Sequence, residues 1–94
     1  MSLLKLQQAA EFFKIDDLVQ AERLYSETIT KHPECGQAYL GMGTIALKIE
    51  QFDKAVYFLT KSCELLPNEA IPLIRLSTAF NGVYSEIDAL TALK

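Results

Sequence analysis

Residues 39–67 read YLGMGTIALKIEQFDKAVYFLTKSCELLP, and this stretch decides the fold. Apolar side chains recur in it at intervals of three and four residues on both sides of residues 48–51. Such spacing is typical of amphipathic helices. Pro67 ends the second helix, because proline forces the residue before it out of the helical conformation. The stretch therefore predicts a helical hairpin.

The hairpin recurs along the chain, because a shift of 34 residues aligns the sequence with itself. Self-similarity at a fixed period of this size is the signature of repeat architectures. Small side chains recur on the first helix of each pair, where they allow two helix axes to approach closely. The residues that coincide are Ala9, Gly43 and Ser77 on the first helices, Ala21, Ala55 and Ala89 on the second, and Pro33 and Pro67 after them.

The periodicity predicts six helices, at about residues 2–14, 17–31, 36–48, 52–65, 70–82 and 85–93. Asn81-Gly82 is expected to end the fifth helix through a residue in the left-handed conformation. Asp16-Asp17 and Glu50 are expected near helix N-termini, where negative charge is favourable. The expected fold class is therefore all-α.

This pattern resembles the tetratricopeptide repeat (TPR) family, whose period is 34 residues. The resemblance is most complete in the second repeat, at Tyr39, Met42, Gly43, Phe52, Ala55, Leu59 and Pro67. It implies a TPR-like α–α superhelix of helix-turn-helix repeats, about 2.7 in number. The single domain 1–94 then consists of repeats at about 2–35, 36–69 and 70–94, the last of them incomplete.

The sequence departs from the family pattern at both ends. Lys5 and Gln8 stand where the family has large apolar residues that face a preceding repeat, so we expect the array to begin here. The third repeat stops at Lys94, about seven residues short of a full period. Because a solenoid normally ends on a polar capping helix, we expect an excerpt of a longer parent chain, or a last helix covered by a partner.

The resemblance also implies a binding surface, since the first helix of each pair lines the concave side of such arrays. The implied groove is mostly apolar and suits an apolar or amphipathic peptide, as in chaperone-like adaptors. Of the charged clamp with which some family members hold a peptide C-terminus, only Arg75 is present. The implied groove residues are Leu3, Leu6, Gln7, Ala10, Phe13, Leu40, Thr44, Leu47, Ile71, Ile74, Arg75 and Thr78.

Composition argues against several classes of function. The net charge is −3 and the nine Lys and Arg residues are scattered, whereas nucleic-acid binding needs a concentrated basic face. No apolar run approaches the roughly 20 residues that cross a bilayer, and no signal peptide is visible. The two cysteines and one histidine are too few for a zinc site. We expect no metal or cofactor, reduced thiols and a cytoplasmic location.

Catalysis is not expected, because the carboxylates fall near helix starts in exposed turns and His32 has no nucleophilic partner at a telling spacing. The predicted function is non-catalytic binding of a protein or peptide partner. Two alternatives stay open. The module could be a self-associating structural scaffold, with a homodimer covering the apolar face, or a regulatory appendage of a larger enzyme.

Overall fold

A computed structural model describes residues 2–92 of the chain, with side chains described for residues 4–87. The prediction of an all-α fold is confirmed, since residues 2–92 form helices joined by short turns and contain no strand. The helices are α1 (Ser2–Lys14), α2 (Leu18–Lys31), α3 (Gly36–Lys48), α4 (Phe52–Leu65) and α5 (Ala70–Ala92).

Each helix packs against the next one along the chain, and α1 also touches α3 while α3 touches α5. Small residues make this close packing possible, because Ala9, Ala21, Ala55 and Ala79 are completely buried between helices. One core cluster joins α1, α2 and α3, and a second, centred on Leu59, joins α3, α4 and α5. The stack is elongated, with extents of 51 × 29 × 20 Å.

The turns that follow α1 and α3 have the same backbone geometry, 34 residues apart. Asp16 and Glu50 have positive φ angles of 65° and 60°. The Asp16 amide donates to the Phe13 carbonyl at 3.0 Å, and the Glu50 amide donates to the Leu47 carbonyl at 3.1 Å. The period read from the side chains is therefore repeated in the backbone of these two hairpins.

The prediction that the fifth helix ends at Asn81-Gly82 was wrong, because α5 continues to Ala92. The third counterpart of Asp16 and Glu50 is Tyr84, and a bulky aromatic residue rarely adopts a positive φ. Gly82 does not adopt a positive φ either. Instead it packs against Phe52 of α4, where a Cβ atom would overlap the phenyl ring. The predicted end of a sixth helix at residue 93 lies outside the described residues.

Candidate functional site

A groove of about 540 Å³ runs across α1, α3 and α5, with one residue of α2 at its floor. This volume falls within the ~300–1,000 Å³ typical of ligand-binding clefts. The groove is lined by Leu6, Gln7, Ala10, Phe13, Lys14, Tyr25, Gln37, Leu40, Gly41, Thr44, Ile71 and Arg75.

The structure brings together eight of the twelve predicted groove residues, namely Leu6, Gln7, Ala10, Phe13, Leu40, Thr44, Ile71 and Arg75. Leu47 is not among the lining residues; like Leu40, it packs against the second core cluster. Ile74 and Thr78 are exposed on α5 outside the lining. The side chain of Leu3 lies outside those described.

Tyr25 forms the floor of the groove and was not predicted as a groove residue. Its ring packs against Gly41 of α3 so closely that a Cβ atom at position 41 would overlap it. Burial raises the pKa of the Tyr25 phenol. One sequence signal pointed to this contact. Positions 7, 41 and 75 coincide under the 34-residue shift, and Gly41 lacks the long side chain that Gln7 and Arg75 carry. A missing side chain at that position leaves room for a residue from the neighbouring helix.

Arg75 is the main polar feature of the groove. Its Nε atom is buried and has no hydrogen-bond partner among the described residues. Arg75 itself lines the groove, and a guanidinium pairs well with a carboxylate. None of the twelve described lining residues is Asp or Glu. An anionic group would therefore meet no repulsion from the groove wall.

Two lysines add positive charge near α1. Lys14 lines the groove, and its Nζ lies 3.4 Å from Glu11 Oε1 in a solvent-exposed pair, which constrains it weakly. Lys48 Nζ lies 3.0 Å from Asp16 Oδ1 and 5.4 Å from the centre of the Phe13 ring. The groove thus combines an apolar floor with cationic groups at both ends, Lys14 on α1 and Arg75 on α5.

Two hollows on the outer side of the hairpins are related to each other by the repeat. The first is lined by Gln8, Glu11, Phe12, Ile15, Arg23 and Leu24. Each of these residues has its counterpart 34 positions later in the lining of the second hollow, at Met42, Ile45, Ala46, Ile49, Tyr57 and Phe58. The hollows are therefore the space that recurs between the two helices of a hairpin, and neither is a distinct site.

Little other chemistry is assembled in the part of the chain that the structure describes. No three His, Cys, Asp or Glu side chains come together there in a way that could hold a metal ion. Cys35 and Cys63 are not joined in a disulfide, and burial raises the pKa of the Cys63 thiol. None of the helices within residues 2–92 has the length and apolar character needed to cross a membrane.

Comparisons of the sequence with protein-family models and with curated proteins found no match in either set. The resemblance to the tetratricopeptide family therefore rests on the residues of this chain alone.

Proposed function

We propose that this chain is a TPR-like repeat module that binds an apolar or amphipathic segment of a partner protein in the groove, without catalysing a reaction. The observation that carries the proposal is the alignment of α1, α3 and α5 along one continuous apolar groove with a cationic residue at each end. The matching turns at Asp16 and Glu50 support the repeat architecture. The unpaired thiols Cys35 and Cys63 support a reducing compartment such as the cytoplasm.

The size of the groove suggests the length of the bound segment. Packed helices lie about 8–10 Å apart, so three in a row span about 20 Å. An extended chain covers this distance with roughly six residues, and a short amphipathic helix could lie across the same surface. Peptides of about eight residues are therefore suitable probes.

The chemistry of the groove suggests the composition of that segment. Leu6, Leu40 and Ile71 offer apolar contacts, and Tyr25 closes the floor between them. The positive charge of Arg75 favours a carboxylate at one end of the segment, because hydrogen bonds to charged groups are stronger than neutral ones. The preferred ligand is thus an apolar stretch that carries one acidic residue.

The test uses fluorescent eight-residue peptides that differ only in one residue, which is Asp, Asn or Lys beside an apolar run. Binding is followed by fluorescence anisotropy. Leu40→Glu should abolish binding of the Asp peptide while leaving helicity intact, since the new carboxylate in the groove would repel that of the peptide. Val19→Glu controls for the added charge, because Val19 is an exposed apolar residue of α2 outside the groove; urea denaturation of both variants checks that the partly buried position 40 tolerates the change.

A second variant tests the role of Arg75. Arg75→Leu should weaken the Asp peptide by about tenfold or more, the usual worth of a charge-assisted hydrogen bond, and should leave the Asn peptide nearly unchanged. Unchanged binding of the Asp peptide to a folded Leu40→Glu variant would rule out the groove as the site. Equal loss for the Asp and Asn peptides in Arg75→Leu would contradict the preference for an acidic residue.

A further inference from the structure

Tyr25 is the one residue of α2 among the described residues that line the groove, whereas the others belong to α1, α3 and α5. Only 8% of its surface is exposed. What Tyr25 presents to a ligand therefore depends on which end of its ring reaches the groove.

The contact with Gly41 shows that the far end of the ring reaches the groove. Position 41 is the counterpart of positions 7 and 75, whose side chains both line the groove. A Cβ atom at position 41 would first meet Cζ, Cε1 and Cε2 of Tyr25, which form the end of the ring that carries the hydroxyl. The phenol of Tyr25 thus occupies the space that a side chain at position 41 would fill.

The hydroxyl at that end of the ring is open to the groove. It takes part in no hydrogen bond among the described residues. It is not enclosed by protein either, because Arg75 Nε is the only buried side-chain nitrogen or oxygen without a partner in the part of the chain that the structure describes. The oxygen of Tyr25 is therefore an accessible atom on a residue that is otherwise buried.

This hydroxyl sets a condition on any ligand that covers it. Burial raises the pKa of the Tyr25 phenol, so the phenol keeps its proton at neutral pH and can donate a hydrogen bond. An apolar group placed over the hydroxyl would displace water without replacing its hydrogen bonds, which is unfavourable. A ligand that lies along the groove must therefore supply an acceptor at this point.

An apolar segment carries its acceptors in the main chain. Leu6, Leu40 and Ile71 favour apolar side chains in the ligand, and such side chains offer no acceptor. In a bound helix the main-chain carbonyls would already accept from amides four residues later, whereas in an extended segment they are free. On the basis of the function proposed above, we propose that Tyr25 is the central recognition residue of the groove, whose hydroxyl donates a hydrogen bond to a main-chain carbonyl of an extended segment.

The position of Arg75 relative to Tyr25 gives the register of the bound segment. Gly41 and Arg75 occupy equivalent positions on α3 and α5, and these two helices are in contact. The axes of packed helices lie about 8–10 Å apart, and an extended chain advances ~3.3–3.6 Å per residue. The carbonyl that accepts from Tyr25 should therefore belong to a residue about three positions from the acidic residue that pairs with Arg75.

Removal of the hydroxyl tests this role, with the Asp peptide and the anisotropy assay described above. Tyr25→Phe should weaken binding about three- to tenfold, the range for loss of one neutral hydrogen bond. Tyr39→Phe is the matched control, since Tyr39 lies outside the groove lining, and it should leave binding unchanged. A bound apolar helix would give the opposite sign, because Tyr25→Phe would then remove an unpaired hydroxyl and strengthen binding.

A series of modified peptides identifies the acceptor. In each version of the Asp peptide, one main-chain amide is replaced by an ester, whose carbonyl is a weaker acceptor. One ester, about three residues from the Asp, should weaken binding to the native chain by about the same factor as Tyr25→Phe. The same ester should have little further effect on the Tyr25→Phe variant, because the bond is already absent there.

A pair of glycine variants tests the contact that places the hydroxyl. In Gly41→Ala the new methyl group overlaps the ring of Tyr25, so the hydroxyl moves and the Asp peptide should bind at least three times more weakly. Gly43→Ala, on the same helix, overlaps Leu59 instead and should leave binding unchanged. Urea denaturation verifies that both variants are folded at the temperature of the assay.

Three results would overturn the role of Tyr25. These are binding to Tyr25→Phe that is as tight as to the native chain or tighter, esters that act equally in the native chain and in Tyr25→Phe, and equal binding to Gly41→Ala and Gly43→Ala. If binding is lost in Leu40→Glu but not in Tyr25→Phe, the groove is the site and only the role of Tyr25 is refuted. If no peptide binds the native chain, the proposed function fails as well.

Discussion

Gly43 lies where α3 packs against α4. Gly43→Ala should raise or lower the free energy of unfolding depending on which residue stands opposite it at position 59. Leu59 is completely buried and lies over Gly43, so a Cβ atom at position 43 would overlap its side chain. Replacing glycine by alanine inside a helix gains about 1 kcal/mol from helix propensity. Overpacking costs about 1–3 kcal/mol. Gly43→Ala alone should therefore lower the free energy of unfolding by about 0–2 kcal/mol.

The same substitution should stabilise the protein when Leu59 is also shortened. Leu59→Ala should cost about 2–5 kcal/mol, in the upper half of that range because Gly43 has no side chain that could move into the cavity. In the Leu59→Ala background the methyl group introduced at position 43 enters space that Leu59 has vacated. Gly43→Ala should therefore raise the free energy of unfolding by about 1 kcal/mol through helix propensity, with no cost from overlap. The coupling between the two positions should be about 1–3 kcal/mol.

Urea denaturation, followed by far-UV circular dichroism, measures this coupling in the native chain, Gly43→Ala, Leu59→Ala and the double variant. Thr60→Ala is the matched control, since Thr60 is the exposed neighbour of Leu59 and should act additively with Gly43→Ala. Additivity of Gly43→Ala and Leu59→Ala within about 0.5 kcal/mol would refute the contact. A gain of the full ~1 kcal/mol from Gly43→Ala in the native background would refute it as well.

Two further predictions concern the start of α2 and its contact with α1. The Asp17 carboxylate accepts a hydrogen bond from the Gln20 amide at 3.3 Å, so Asp17→Ala should lower the free energy of unfolding by about 1 kcal/mol. The side chain of its counterpart Gln51 makes no capping hydrogen bond, so Gln51→Asp should raise the free energy of unfolding by a similar amount. Urea denaturation measures both changes. The hydrogen bond from Lys5 is the main cause that lowers the pKa of Glu27 below its ordinary 4.5. The stability that this pair contributes is present above that pH and is lost as the pH falls through the lowered pKa, so Glu27→Gln should lose less stability on acidification than the native chain. Urea midpoints of the native chain and of Glu27→Gln that fall in parallel from about pH 5 to pH 3 would contradict the role of Glu27. Equal losses of stability in Asp17→Ala and Gln51→Ala would contradict the role of the Asp17 cap.

The hairpins were predictable because their signals are local and agree with one another. Helical spacing, Pro33 and Pro67, and the polar residues at 16 and 50 all act within a few residues, and α1 to α4 begin and end close to the predicted positions. The left-handed residues Asp16 and Glu50 could have been located from the period itself. A second occurrence of the same turn strengthens a signal that is weak when it occurs once.

The continuity of α5 was not predictable from the same local rules. Asn81-Gly82 is typical of a helix end, yet Gly82 is used for its lack of a side chain, because Phe52 of α4 packs against it. That contact joins residues 30 positions apart and is not visible in a short window. The sequence did contain a contrary signal, since Tyr84 stands where the other two turns have Asp16 and Glu50.

The edges of the groove were hard to predict for a geometric reason. A helical residue turns through 100°, so positions at the margin of a face enter or leave it with a small rotation of the helix. Leu47 does not line the groove, whereas its counterpart Phe13 does, although both pack against a core cluster. Ile74 and Thr78 lie on α5, whose orientation depends on its packing against α4.

The repeat also explains how one fold can present a specific surface. Positions 7, 41 and 75 are equivalent in the three repeats and all line the groove, where they carry Gln7, Gly41 and Arg75. The first offers an amide, the second leaves the ring of Tyr25 in the lining, and the third offers a positive charge. In the proposed repeat architecture, stacking would fix the spacing between these three contacts. For the ligand proposed above, this order predicts recognition through its polar, aromatic-contacting and acidic residues, with the acidic residue placed at the α5 end by Arg75.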